Sequence, residues 1–235
     1  MLTPMSIWTR ITAAVSALAK GEPLSAVFDH LRTPPERSVG FAIAVIALGA
    51  KMAKADGRVT RDEVAAFREV FQIAQEDEAG AARIFNLARQ DVAGFDIYAR
   101  RIARMFSDQP NVLEDILEGL FYIALADGRY HEGEESFLNT VAAVFGLSPQ
   151  AFACIEARHL EGRGRDPWQV LGVPRDAEMA TIRARWRELV RTHHPDKMIA
   201  RGLPPETVNL ANARLTAINR AWEEISARKA AASDA

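Results

Sequence analysis

From Ser38 to Leu160 proline occurs only at Pro110 and Pro149, while alanine, leucine and glutamate abound. A stretch so poor in breakers and so rich in strong helix formers reads as helix almost throughout. Within it one pattern occurs twice. Ala53-Lys54-Ala55-Asp56-Gly57-Arg58 precedes Glu63, and Ala124-Leu125-Ala126-Asp127-Gly128-Arg129 precedes Glu134, the copies lying 71 residues apart. Each copy follows an apolar run (Phe41 to Met52; Ile116 to Leu125) and leads into an amphipathic one (Val64 to Ile73; Phe137 to Phe145). The unit is helix, glycine-terminated turn, helix, because Gly57 and Gly128 suit the left-handed position that ends a helix. Thr60 with Glu63 fits a capping box, and His131 with Glu134 a poorer one.

An Asp-Gly pair with a glutamate seven residues after the aspartate also matches the last part of an EF-hand loop. Its earlier ligand positions would fall on Met52 and Lys54 in one copy and on Ile123 and Leu125 in the other. Those side chains do not ligate calcium, so an EF-hand is excluded.

At 235 residues the chain holds one large domain or two modest ones. Net charge is +1 over residues 1–50, -6 over 51–160 and +3 over 161–235. An acidic middle and a basic end support two separate domains. A charge of +3 spread over 75 residues is far below the basic face of a nucleic-acid binder, and no nucleic-acid partner is expected. The single cysteine, Cys154, cannot form an internal disulfide, which fits a reducing compartment; among Ala151, Phe152, Ala153 and Ile155 it reads as a buried structural thiol. The charge-free run from Ser38 to Ala50 is 13 residues long, against the roughly 20 that a bilayer requires. It reads as a buried helix. The start of the chain lacks a basic segment followed by a small-residue cleavage site, so a secretory signal is not expected. A cytoplasmic protein is the expectation. Neither a phosphate-cradling Gly-x-x-x-x-Gly-Lys-Ser/Thr loop nor Gly-x-Gly-x-x-Gly is present.

Residues 1–37 form an N-terminal segment in which Trp8, Ile11, Val15 and Leu18 make an amphipathic stripe. Two readings stand: a helix packed on the middle domain or on a second copy of the chain, or a helix over residues 1–21 lying on the inner face of a membrane. The middle domain spans 38–160. Residues 161–165, polar and with two glycines, read as a linker to a C-terminal domain over 166–235.

In that last domain, Ile182, Trp186, Leu189 and Val190 make one apolar stripe. Ile218, Trp222 and Ile225 make the matching stripe on a following helix that starts near Pro205. Together they predict a helical hairpin. Arg183, Arg187 and Arg191 recur every fourth residue on another face, with Arg185 beside them, and lead into His194-Pro195-Asp196-Lys197. Pro195 fixes its own φ and biases His194 away from helix, so the basic helix ends at about His193. An imidazole that donates and accepts, next to an acid on a rigid turn, is a compact polar recognition element.

The order Trp168-Gln169-Val170-Leu171-Gly172, Asp176-Ala177-Glu178, the arginine helix, His194-Pro195-Asp196 and Ala221-Trp222 resembles the J domain of DnaJ-type co-chaperones, over roughly residues 164–229. The paired Asp-Gly turns resemble the helical TerB-like domain. The run from His193 through Lys197 to Ala200-Arg201-Gly202-Leu203-Pro204-Pro205-Glu206 resembles the DjlA-type co-chaperones, which join those two domains in this order. The resemblance implies an all-α fold, a TerB-like bundle followed by a J-domain hairpin. It implies a protein that is not itself an enzyme and that stimulates ATP hydrolysis by a DnaK-type chaperone. Arg183, Arg187, His194, Pro195, Asp196 and Lys197 would be the contacts. It also places Asp56, Glu63, Asp127 and Glu134 in a symmetric acidic cluster, read as a divalent metal site, as a contact surface or as helix caps. No cofactor is required, and the middle domain would serve targeting, dimerisation or metal sensing. The alternative is a metal- or stress-responsive binding protein whose J-like hairpin is structural. General DnaJ proteins carry Cys-x-x-Cys zinc modules, which one cysteine cannot supply. Some DjlA-type members carry an N-terminal membrane anchor, for which this chain has no spanning stretch.

Overall fold

The computed structural model describes residues 7–16, 24, 27, 36–55, 65, 78–90, 94–126, 128–160, 166–201, 203 and 207–233. Among them every regular element is a helix. The helices are α1 (Ile7–Ser16), α2 (Glu36–Ala55), α3 (Glu78–Gln90), α4 (Phe95–Met105), α5 (Pro110–Ala124), α6 (Glu132–Val144), α7 (Pro149–His159), α8 (Pro167–Leu171), α9 (Met179–Thr192), α10 (Pro195–Ala200) and α11 (Val208–Ser233).

The centre of the bundle is α2. Its residues from Val39 to Met52 are buried on every side, as expected of a helix that is apolar all round. Even Lys51 is buried, its ammonium 5.1 Å from the centre of the Tyr98 ring. Helices α1, α3, α4, α5 and α6 surround α2, each turning an apolar stripe inward. Tyr98, Ala99, Ile102 and Met105 form that stripe on α4, and Ala81, Ile84 and Ala88 form it on α3. On α1, Ile11 is buried in the bundle core, and Ala14 and Val15 pack against it. The N-terminal helix therefore packs on the middle domain; Leu18 and the side chain of Trp8 lie outside the described residues. No helix among the described residues is long and apolar enough to cross a membrane.

Local chemistry sets the helix starts. Pro110 and Pro149 occupy first-turn positions, where the missing N–H is no loss. The Ser148 hydroxyl accepts from the Ala151 amide at 3.1 Å to cap α7. On α6 the Glu134 carboxylate reaches back to the His131 amide at 3.0 Å, one half of the predicted capping box.

The C-terminal part is a hairpin with two small helices. Asp166 caps α8 by accepting from the Trp168 amide at 3.1 Å, and Gly172 ends α8 at φ 68°, a conformation that favours glycine. Helices α9 and α11 run antiparallel. Three bonds spaced along them show it: Lys229 to the Ala177 carbonyl (3.2 Å), Trp186 to Asn219 (2.9 Å) and Arg214 to His193 (2.6 Å). Between the helices lie Ile182, Leu189, Ile218 and Ile225, all buried, with Trp186, Val190 and Trp222 packed at the edge. This is the interface the two sequence stripes predict. Each buried aliphatic side chain is worth roughly 1.5–3 kcal/mol of transfer free energy.

The hairpin does not stand apart from the bundle. Met198, Leu203, Leu210 and Ala211 belong to the bundle's core, and Ala157 of α7 belongs to the hairpin's.

Candidate functional site

The site is built at the connecting end of the hairpin, where the chain leaves α9 for α11. The His193 amide donates to the Leu189 carbonyl at 2.9 Å and closes α9 at the predicted place. Backbone direction then changes at His194, whose φ of -62° and ψ of 138° are extended. Pro195 opens α10, a six-residue helix that the sequence reading missed, being too short to show a period. Three hydrogen bonds to His194 hold it: its Nδ1 accepts from the Asp196 amide at 3.2 Å, and its carbonyl accepts from the amides of Lys197 (2.9 Å) and Met198 (3.1 Å). With Nδ1 accepting, Nε2 is the nitrogen left to donate.

The Asp196 carboxylate points into solvent. Its side chain is 86% exposed, and Oδ2 lies 3.6 Å from His194 Nδ1. The acid is therefore available to an incoming group rather than used as an internal cap. Arg183, Arg187, Arg191 and Lys197 are exposed too, so all the predicted contact residues except half-buried Pro195 reach solvent. Arg183 is steadied by lying 5.7 Å from the centre of the Trp222 ring, which itself stacks on Trp186 with centroids 5.0 Å apart. Arg185 is different. Its guanidinium donates to the Leu171 carbonyl (3.2 Å) and to Glu188 (2.8 Å), which ties α9 to α8. Trp186, Arg187, Val190, Arg191, His194, Asp196 and Lys197 line a pocket of about 320 Å³. Trp186 and Val190 give the pocket an apolar floor, and Arg187, Arg191 and Lys197 with Asp196 give it a charged rim.

Beneath the turn lies a buried ionic cluster that the sequence reading did not single out. Asp115 and Glu118 sit on α5, fully buried. Asp115 accepts from Arg214 Nη1 at 2.6 Å and from Arg201 Nη2 at 2.9 Å. Glu118 accepts from Arg158 at 2.5 Å and bonds His159 at 2.8 Å; Arg214 Nε lies 3.1 Å away, without the alignment of a hydrogen bond. Burial alone would raise the Glu118 carboxyl, but the Arg214 and Arg158 guanidiniums outweigh it and hold the group well below its usual range. His193 faces the same arginines. Burial, then the charges of Arg214 and Arg158, push its imidazole down to about 2, so it stays neutral and accepts from Arg214 through Nδ1. The one legible signal was the acids Glu114, Asp115 and Glu118 among the apolar residues of α5, where a buried charge must find a partner.

Of the predicted acidic cluster, Glu134 is buried and acts as a helix cap; Asp56, Glu63 and Asp127 lie outside the described residues. Among the described residues no group of three or more histidine, cysteine or acidic side chains is placed to hold a metal ion. Cys154, half-buried under Gly172, has its thiol pushed up by burial.

Comparison with known proteins matches the fold and the turn to the same source. Residues 42–157 match the tellurite resistance protein TerB family, and residues 166–232 match the DnaJ domain family. Co-chaperone protein DjlA of Coxiella burnetii is 31% identical over 194 residues, spanning 74% of this chain and 72% of the relative. The chain belongs to the DjlA co-chaperone family. DjlA of Aliivibrio fischeri is 27% identical over 227 residues (83% of this chain, 80% of the relative), and DjlA of Photobacterium profundum 26% over 220 residues (83% and 79%). The DjlA relatives thus run across both domains. No solved structure matches the chain.

Proposed function

We propose that this DjlA-family chain binds a DnaK-type chaperone through the outer face of α9 and the turn, and stimulates its ATP hydrolysis. The observation that carries the reading is the exposure of His194 and Asp196 at the end of an arginine face, beside a pocket that fits an apolar anchor. Arg183, Arg187 and Lys197 attract an acidic patch on the partner and set the encounter. His194 Nε2 and the Asp196 carboxylate then compete for polar contacts inside the partner. The chain performs no chemistry on nucleotide. Its effect is allosteric, so it must bind the hydrolysing state of the partner more tightly than the resting state. Every 1.4 kcal/mol or so of that difference gives about tenfold in rate. The bundle would supply targeting or self-association. His194→Gln tests the reading: stimulation of the partner is lost while helicity by circular dichroism is unchanged. Full stimulation by the variant contradicts it.

A further inference from the structure

We propose that Asp115, a residue of the TerB-like bundle, is a positioning residue for the His194-Pro195-Asp196 turn. The inference rests on the reading of that turn as the partner contact. Asp115 uses both carboxylate oxygens. Oδ1 accepts from Arg214 Nη1, which also reaches His193 Nδ1 at 2.6 Å, on the residue that precedes the turn. Oδ2 accepts from Arg201 Nη2, and Arg201 Nη1 donates to the Thr192 carbonyl at 3.0 Å. Arg201 is itself the residue that ends α10. One carboxylate of the bundle therefore holds the turn from below on both flanks.

Packing supports the same anchoring. Met198, on the inner side of α10, is buried in the bundle core, while His194, Asp196 and Lys197 on the turn remain exposed. The turn is pressed on the bundle by its inner face and shown to solvent by its outer one. A J-type turn so held is pre-organised, and less ordering is left to do when a partner arrives. The bundle then is not only an address for the hairpin; it sets the pose of the contact residues.

An aspartate is needed because both arms need an acceptor. Asparagine at 115 would keep one oxygen and turn an amide toward a guanidinium, leaving one arginine without its partner in a buried place. The test uses the full-length chain with Asp115→Asn, beside Val141→Ala, a bundle-core variant (Val141 is buried) chosen to lower the melting temperature comparably. Amide hydrogen exchange is read at Lys197 and Met198, whose N–H groups bond the His194 carbonyl. Exchange is expected to be about tenfold faster in Asp115→Asn and unchanged in Val141→Ala. Maximal stimulation of a DnaK-type partner should fall by a similar factor, with the half-maximal concentration little moved, since the α9 arginines are untouched. Should Asp115→Asn fail to fold, Arg201→Gln at the cluster's edge (side chain 19% exposed) is expected to give the same acceleration at Met198.

Unchanged exchange in the aspartate variant would overturn the proposal. So would equal acceleration in both variants, which marks a purely structural role, or faster exchange with full stimulation. Should the wild-type chain not stimulate the partner, the proposed function fails, and exchange at Lys197 and Met198 alone decides the positioning role.

Discussion

Arg187 and Arg214 show how differently one residue type is used in this chain. Arg187 is exposed on the outer face of α9, where its charge is free to meet a partner and contributes little to the fold. Arg214 is fully buried between Asp115, Glu118 and His193, where each charge must be matched. Arg187→Glu is therefore expected to leave stability within about 0.5 kcal/mol. It should raise the concentration for half-maximal ATPase stimulation roughly tenfold at low salt, and less at high salt. A titration of the partner at two ionic strengths checks this, and an unchanged midpoint at low salt would remove Arg187 from the interface. Sequence separated these two arginines poorly. Arg187 was legible from its four-residue repeat with Arg183 and Arg191, whereas nothing beside Arg214 in the chain announces its partners, 21 to 99 residues away.

At the level of the element, the α9–α11 hairpin was the most legible part of the fold. Ile182 and Leu189 on one helix and Ile218 and Ile225 on the other fall at helical spacing and are buried together. Periodicity of that kind reports which face is inward, and two matching faces report a pair. Ile218→Ala should cost roughly 2–5 kcal/mol, because the side chain is wholly buried between two helices that relax only partly. Urea denaturation measures it; a loss below about 1 kcal/mol would mean that the two stripes are not the core of the hairpin. Helix α10 escaped notice for a physical reason. Six residues cannot show an amphipathic period, and its inner anchor, Met198, has no neighbour in sequence that marks it as core. Capping was legible on α6, where His131 and Glu134 stand three apart.

For the molecule as a whole, two domains were readable from charge and motif, but their joint was not. The joint combines the apolar contacts of Met198, Leu203, Leu210 and Ala211 with buried charges whose partners lie far apart in the chain, and its pH response follows from those charges. His193 stays neutral in the folded chain down to about 2, while the unfolded chain protonates it near 6.5. Below 6.5 the unfolded state binds the extra proton, so stability falls as pH falls. The His193 contribution from pH 7 to pH 5 is about 2 kcal/mol. His193→Gln keeps an acceptor for Arg214 and removes the proton site, so its loss between those pH values should be smaller by about that amount in urea melts. An identical pH slope in the two proteins would show that the imidazole is not held neutral. Action of the exposed turn on a DnaK-type partner is read from the single-turnover ATPase rate of that partner with the wild-type chain and with Asp196→Asn. Asp196 is exposed and bears little on the fold, so the variant should match the wild type in circular dichroism. An acceleration of roughly tenfold or more is expected from the wild type and none from Asp196→Asn; equal acceleration by both, or by neither, would contradict a role for the turn.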